Sequence, residues 1–128
     1  NIYLNKSEVI RKVMNVDESK RMIDILTKAV KEGTGTNAAI AGYKIAGKTG
    51  TAEKFIGGEY SDKYFISSFA AIFPADNPSI VCIISVDSPE YHKHWGNMTA
   101  APIAKDIFRQ IINNDYHQRD KEMRSIRL

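Results

Sequence analysis

One stretch of this chain has residue types and spacing suited to chemistry: Gly42-Tyr-Lys-Ile-Ala-Gly47-Lys48-Thr49-Gly50-Thr51. Read literally, Gly42 to Thr49 satisfies G-x-x-x-x-G-K-[ST], in which backbone N–H groups and a lysine cradle phosphate. The apolar run Ile80 to Asp87, ending in a carboxylate, would be the matching magnesium-binding strand. Context speaks against this nucleoside-triphosphatase reading. A phosphate-binding loop must open a helix whose first amides face the ligand. Here Gly50-Thr-Ala-Glu53 follows, Gly57-Gly58 comes soon after, and Tyr43 to Ala46 alternates like a strand. The bland alternatives are a Gly-Lys-Thr surface turn, or an edge-strand lysine that discourages aggregation.

Other reactive side chains offer less. His92 and His94 lie one residue apart beside Trp95, and on a strand they would face the same side. Two imidazoles without a third ligand make a poor zinc site, so a loop rim is expected and no metal is assigned. Cys82 sits in an apolar run and reads as a small buried hydrophobe rather than a reactive thiol. As the single cysteine it excludes an internal disulfide and a cysteine-cage metal site. Asp87 is expected in a turn with Pro89, and no cofactor is implied.

The elements that must position Lys48 follow from periodicity. Residues 1–14 read as an extended segment. Asn15 can cap a helix over about 16–32, with Glu18 completing a capping box. Met22, Ile23, Ile25, Leu26, Ala29 and Val30 give that helix its apolar stripe, and Gly33 can end it in the left-handed conformation. Beyond a Gly/Thr/Asn loop the period becomes strand-like, with strands over about 43–52, 64–73 and 80–86. Pro74-Ala-Asp-Asn-Pro78 joins the last two tightly, so an antiparallel three-strand meander is simplest. A helix over about 99–112 buries Ile103, Ile107, Phe108, Ile111 and Ile112, and Asn113-Asn114 ends it. Residues 113–128 form a polar basic tail. The fold class is α+β, with helices packed on an antiparallel sheet.

Composition removes whole classes. The chain has 128 residues, 43% hydrophobic and 26% charged, with a net charge of +3, as befits one globular domain or part of one. Eight glycines and four prolines without a short period exclude collagen-like and low-complexity chains. No apolar run approaches the roughly 20 residues of a membrane helix. The basic excess at Arg119, Lys121, Arg124 and Arg127 is scattered among Asp120 and Glu122 without aromatics, so no nucleic-acid partner is expected. The chain opens on Asn1 rather than Met, and is expected to be a piece of something longer.

Several segments in order carry a family resemblance: GYKIAGKTGTAEK, a glycine-containing loop with Tyr60, SFAAIFPADNPSIVCIISVDSPE, and a WGN–TAAPIAKDIF helix. Over roughly Asn15 to Ile112 they resemble the C-terminal part of the transpeptidase domain of class B penicillin-binding proteins. Residues 15–112 are therefore expected to be a partial β-lactamase/transpeptidase-like fold. That family combines a nucleophilic serine in S-x-x-K, an S-x-N, and K-T-G on a strand beside the cleft. Neither S-x-x-K nor S-x-N occurs in the chain, and Tyr3-Leu-Asn5 only imitates a Y-x-N variant.

The resemblance implies serine acyl transfer on a D-alanyl-D-alanine stem peptide of peptidoglycan, or on a β-lactam, with the nucleophile absent from this chain. Lys48 would supply positive charge for the substrate carboxylate, and the Thr51 hydroxyl would bond to it. The Thr51 N–H would be one of two oxyanion-hole donors. Gly50 would let the substrate backbone lie along the strand, with Thr49 turned away and packed. Tyr60 and Tyr64 would pack beside the cleft. The parent would be membrane-anchored, with its catalytic domain outside the cytoplasmic membrane, in a cell-division or elongation complex. The fragment itself would self-associate. A non-catalytic penicillin-sensing or structural module and a β-lactamase are the neighbouring alternatives.

Overall fold

The computed structural model describes residues 8–126, with side-chain surroundings up to residue 115. Tyr3-Leu-Asn5 lies outside the described residues, and residues 8–14 carry no regular structure. Helix α1 spans Val16–Glu32. Its capping box is formed: Glu18 N–H donates to Asn15 Oδ1 at 2.9 Å, and Asn15 N–H donates to Glu18 Oε2 at 2.7 Å. Gly33 ends the helix, but with φ −117° and ψ −146° rather than left-handed. The closing bond is made further on, from Gly35 N–H to Ala29 O at 2.9 Å.

Three strands follow: β1 Ala46–Ile56, β2 Glu59–Phe73 and β3 Ile80–Asp87, antiparallel in the order β1-β2-β3. The meander stands, but the first hairpin is longer than the strands expected over 43–52 and 64–73. Gly57 and Gly58 both have positive φ, 66° and 96°, and this two-residue turn pairs Ile56 directly with Glu59. Both strands therefore run up to the turn, with a register shift between Glu53 and Phe55. At the other end Tyr43 N–H is held by Ile40 O in a turn, which delays the start of β1.

Helix α2 spans Ala100–Ile126 and does not stop at Asn113-Asn114. Asparagine costs a helix no more than about 0.7 kcal/mol relative to alanine, and no glycine or proline follows to break it.

Cross-strand partners define two faces. Gly47, Ala71 and Cys82 share one with Thr49, Phe69 and Ile84. This face carries the core, where Phe69, Ala71 and Phe73 meet Ala100, Ala101, Ala104 and Phe108 of α2. The alanines let the helix approach closely, and Phe108 stacks on Phe73 with ring centroids 4.8 Å apart. Ile103 and Ile107, expected in the buried stripe, stay exposed because the alanine face is the one turned inward; Met22 and Ile25 of α1 are exposed too. On the opposite sheet face Val81 and Ile83 are 73% and 71% exposed. Strand β1 is an edge of the sheet, paired among the described residues with β2 alone. Among the described residues, no helix is long and apolar enough to cross a membrane.

Candidate functional site

Lys48 and Thr49 sit within β1, which removes the phosphate-loop reading: no helix begins at Thr49. Gly47 is needed for a different reason, since a β-carbon there would lie 2.6 Å from the Phe69 ring. The edge position of β1 lets side chains of both parities reach one cleft of about 480 Å³. Lys48, Thr49 and Thr51 line it, facing Thr34 and the turn Trp95–Met98.

The site's polar groups are linked. Lys48 Nζ donates to Thr49 O at 3.0 Å and to Thr49 Oγ1 at 3.3 Å. Thr49 Oγ1 donates in turn to Thr34 Oγ1 at 3.1 Å. Thr49, expected to turn away and pack, is half-buried but lines the same cleft, and its hydroxyl belongs to the Lys48 chain. Thr51 Oγ1 accepts from Gly96 N–H at 3.2 Å. Lys48 makes no ion pair among the described residues. A cation without a carboxylate, flanked by hydroxyls on a strand edge, is suited to an anionic ligand that lies along the strand.

The wall opposite β1 is built from contacts distant in sequence. Asn37 N–H donates to Asn97 Oδ1 at 3.0 Å, and Asn37 Nδ2 donates to Asn97 O at 2.9 Å. Ser67 Oγ, fully buried, donates to His94 O. His94 lies in the turn after β3 rather than on a strand, stacked on Phe65 at 4.1 Å, and so it braces the turn. His92 points instead to Glu90, 3.2 Å away. The hydrogen bond from Lys93, helped by its charge and that of His92, holds the Glu90 carboxyl below its usual range.

Thr34, Asn37, Gly96 and Asn97 were not singled out from sequence as site residues. The signal available was the Gly-Asn pair just before an apolar helix, at a spacing that no local pattern connects to Lys48. Tyr60 and Tyr64 do not line the Lys48 cleft. The long hairpin carries them beyond it to a separate depression with Ile56 and Ser61, where Tyr60 packs edge-on against Phe55 at 5.2 Å. Cys82 is half-buried against the core, and burial pushes its thiol pKa up. Asp87, expected to serve a turn, instead takes Lys54 and Ser88 as partners.

The family model of the penicillin binding protein transpeptidase domain matches residues 3–109. Stage V sporulation protein D of Bacillus subtilis is 41% identical over 99 residues, covering 77% of this chain and 15% of that protein. A peptidoglycan D,D-transpeptidase FtsI homolog of Mesostigma viride is 36% identical over 113 residues, covering 88% and 19%. Among solved structures, the apo transpeptidase domain of Burkholderia pseudomallei penicillin-binding protein 3 superposes with a TM-score of 0.68 at 33% identity, over 77% of this chain and 30% of that one. Penicillin-binding protein 3 of Mycobacterium tuberculosis, complexed with aztreonam, gives 0.72 at 30% identity, over 81% and 25%. The chain therefore spans less than a fifth of the length of these curated relatives.

Proposed function

The chain belongs to the family of penicillin-binding protein transpeptidase domains, and from that premise we propose that the Lys48 cleft binds the acyl donor of a peptidoglycan cross-linking reaction. The observation that carries this is Lys48, without an ion-pair partner among the described residues, beside the Thr49 and Thr51 hydroxyls on the edge strand β1. The donor is a stem peptide ending in D-alanyl-D-alanine, or a penicillin that mimics it. Its carboxylate meets the Lys48 charge and the Thr51 hydroxyl, and its backbone runs along Gly50.

A serine hydroxyl attacks the carbonyl of the penultimate residue, and the bond to the terminal D-alanine breaks as that amine takes up a proton. The resulting ester then passes to the amine of a second stem peptide. The Thr51 N–H stabilises the oxyanion at each addition. Losing one such donor typically lowers the rate by about 10²–10³-fold. Neither S-x-x-K nor S-x-N is found in these 128 residues, so on this reading residues 15–112 are the C-terminal part of a transpeptidase domain. Another part of the domain brings the nucleophile. The parent acts outside the cytoplasmic membrane, tethered to it, in a cell-division or elongation complex.

The test is acylation of the full-length protein by a labelled penicillin. Lys48→Met should lower the second-order rate by about a hundredfold, the scale of a lost charge-assisted contact. An unchanged rate would remove Lys48 and its cleft from the reaction.

A further inference from the structure

The contact between β1 and the turn before α2 does more than close the cleft. Gly96 is buried there, although Trp95 beside it is exposed. Its N–H donates to Thr51 Oγ1 at 3.2 Å. Its carbonyl accepts from Ala100 N–H at 3.0 Å and Ala101 N–H at 2.9 Å, so the same peptide pair starts α2. The two ends are anchored independently, α2 by the Phe108–Phe73 stack and the turn by the Asn37–Asn97 pair.

A β-carbon at Gly96 would lie 2.7 Å from Gly50 O and 3.3 Å from Gly50 N, and closer still to Ser68 O. These are backbone atoms of paired strands, so no flexible side chain can yield. Gly96 thus backs the Gly50–Thr51 peptide from the side opposite Ser68 Oγ, which would lie 2.5 Å from a β-carbon on Gly50.

A hydroxyl that accepts through its oxygen has its single proton left to give. Because Thr51 Oγ1 already accepts from Gly96 and Thr51 is exposed to the cleft, its proton is directed to whatever anion enters. We infer that Gly96 is a positioning residue for Thr51, holding its hydroxyl as a donor and bracing the Gly50–Thr51 peptide that presents the oxyanion-hole N–H. This rests on the transpeptidase reading above.

The experiment compares acylation of the full-length protein by a penicillin and by the methyl ester of the same penicillin. The ratio of the two rates reports recognition of the carboxylate, which a merely structural defect would leave alone. Gly96→Ala and Thr51→Val should each lower that ratio by about tenfold to a hundredfold. The double variant should fall no lower than the worse single one, because both act through one hydroxyl. Thr51→Ser should rescue the ratio. Should Gly96→Ala not fold, amide exchange at Gly96 decides: it accelerates in Thr51→Val and is protected again in Thr51→Ser. Unchanged ratios in Gly96→Ala, losses that multiply, or Gly96 exchange indifferent to Thr51→Val would overturn the inference. A wild-type protein that takes no acyl group would overturn the transpeptidase reading instead, and the inference with it.

Discussion

Lys54 Nζ lies 2.6 Å from Asp87 Oδ1, joining the bulged part of β1 to the end of β3 across the central strand. Ser88 Oγ donates to the same carboxylate oxygen at 2.7 Å. The bond from Lys54, then that from Ser88, holds the Asp87 carboxyl below its ordinary value of 3.8. A depressed carboxyl stabilises the fold above its unfolded value and loses that contribution as pH falls through the folded one. Asp87→Asn should therefore lower the melting temperature slightly at neutral pH. The difference should shrink in high salt and vanish well below pH 3.8. A gap that persists at low pH would mean that charge is not the cause.

Phe108 is fully buried and stacked on Phe73, at the centre of the contact between α2 and the sheet. Phe108→Ala should cost about 3–5 kcal/mol, most of a small domain's stability. Denaturant melts followed by circular dichroism check this. A loss under about 1 kcal/mol would mean that α2 is not held by this core.

The open sheet face should drive copies together. Each fully exposed aliphatic side chain forgoes about 1.5–3 kcal/mol of burial, and Val81 and Ile83 are 73% and 71% exposed. Light scattering on the 128-residue chain should show self-association that Val81→Lys with Ile83→Lys relieves. A strictly monomeric, cooperatively folding chain at high micromolar concentration would contradict this.

The isolated chain should form no covalent adduct with a labelled penicillin, because none of its serines is followed three residues later by lysine. Intact mass spectrometry showing a stoichiometric acyl adduct would require a nucleophile of another kind within these residues.

Much of this was legible because it is local. The Asn15 cap, the strand alternation and the run Gly47-Lys48-Thr49-Gly50-Thr51 are each written in consecutive residues. Hairpin length is not legible in the same way, because glycine reads as a break, whereas positive φ at both Gly57 and Gly58 makes a tight strand reversal. The helix runs past Asn113 because asparagine is only a weak stop. The wall of the cleft was hidden for another reason. Gly96 meets Thr51 across 45 positions and Asn97 meets Asn37 across 60, and only the folded meander brings them together.

The central claim is that Lys48 and Thr51 receive the acyl donor, and the acylated full-length protein tests it most directly. A crystal structure of that adduct with a penicillin should place the ester carbonyl oxygen about 2.7–3.1 Å from Thr51 N. The ligand carboxylate should lie within hydrogen-bonding reach, about 2.5–3.0 Å, of Thr51 Oγ1, with Lys48 Nζ beside it. An adduct whose carboxylate and carbonyl oxygen both lie away from β1 would contradict the account.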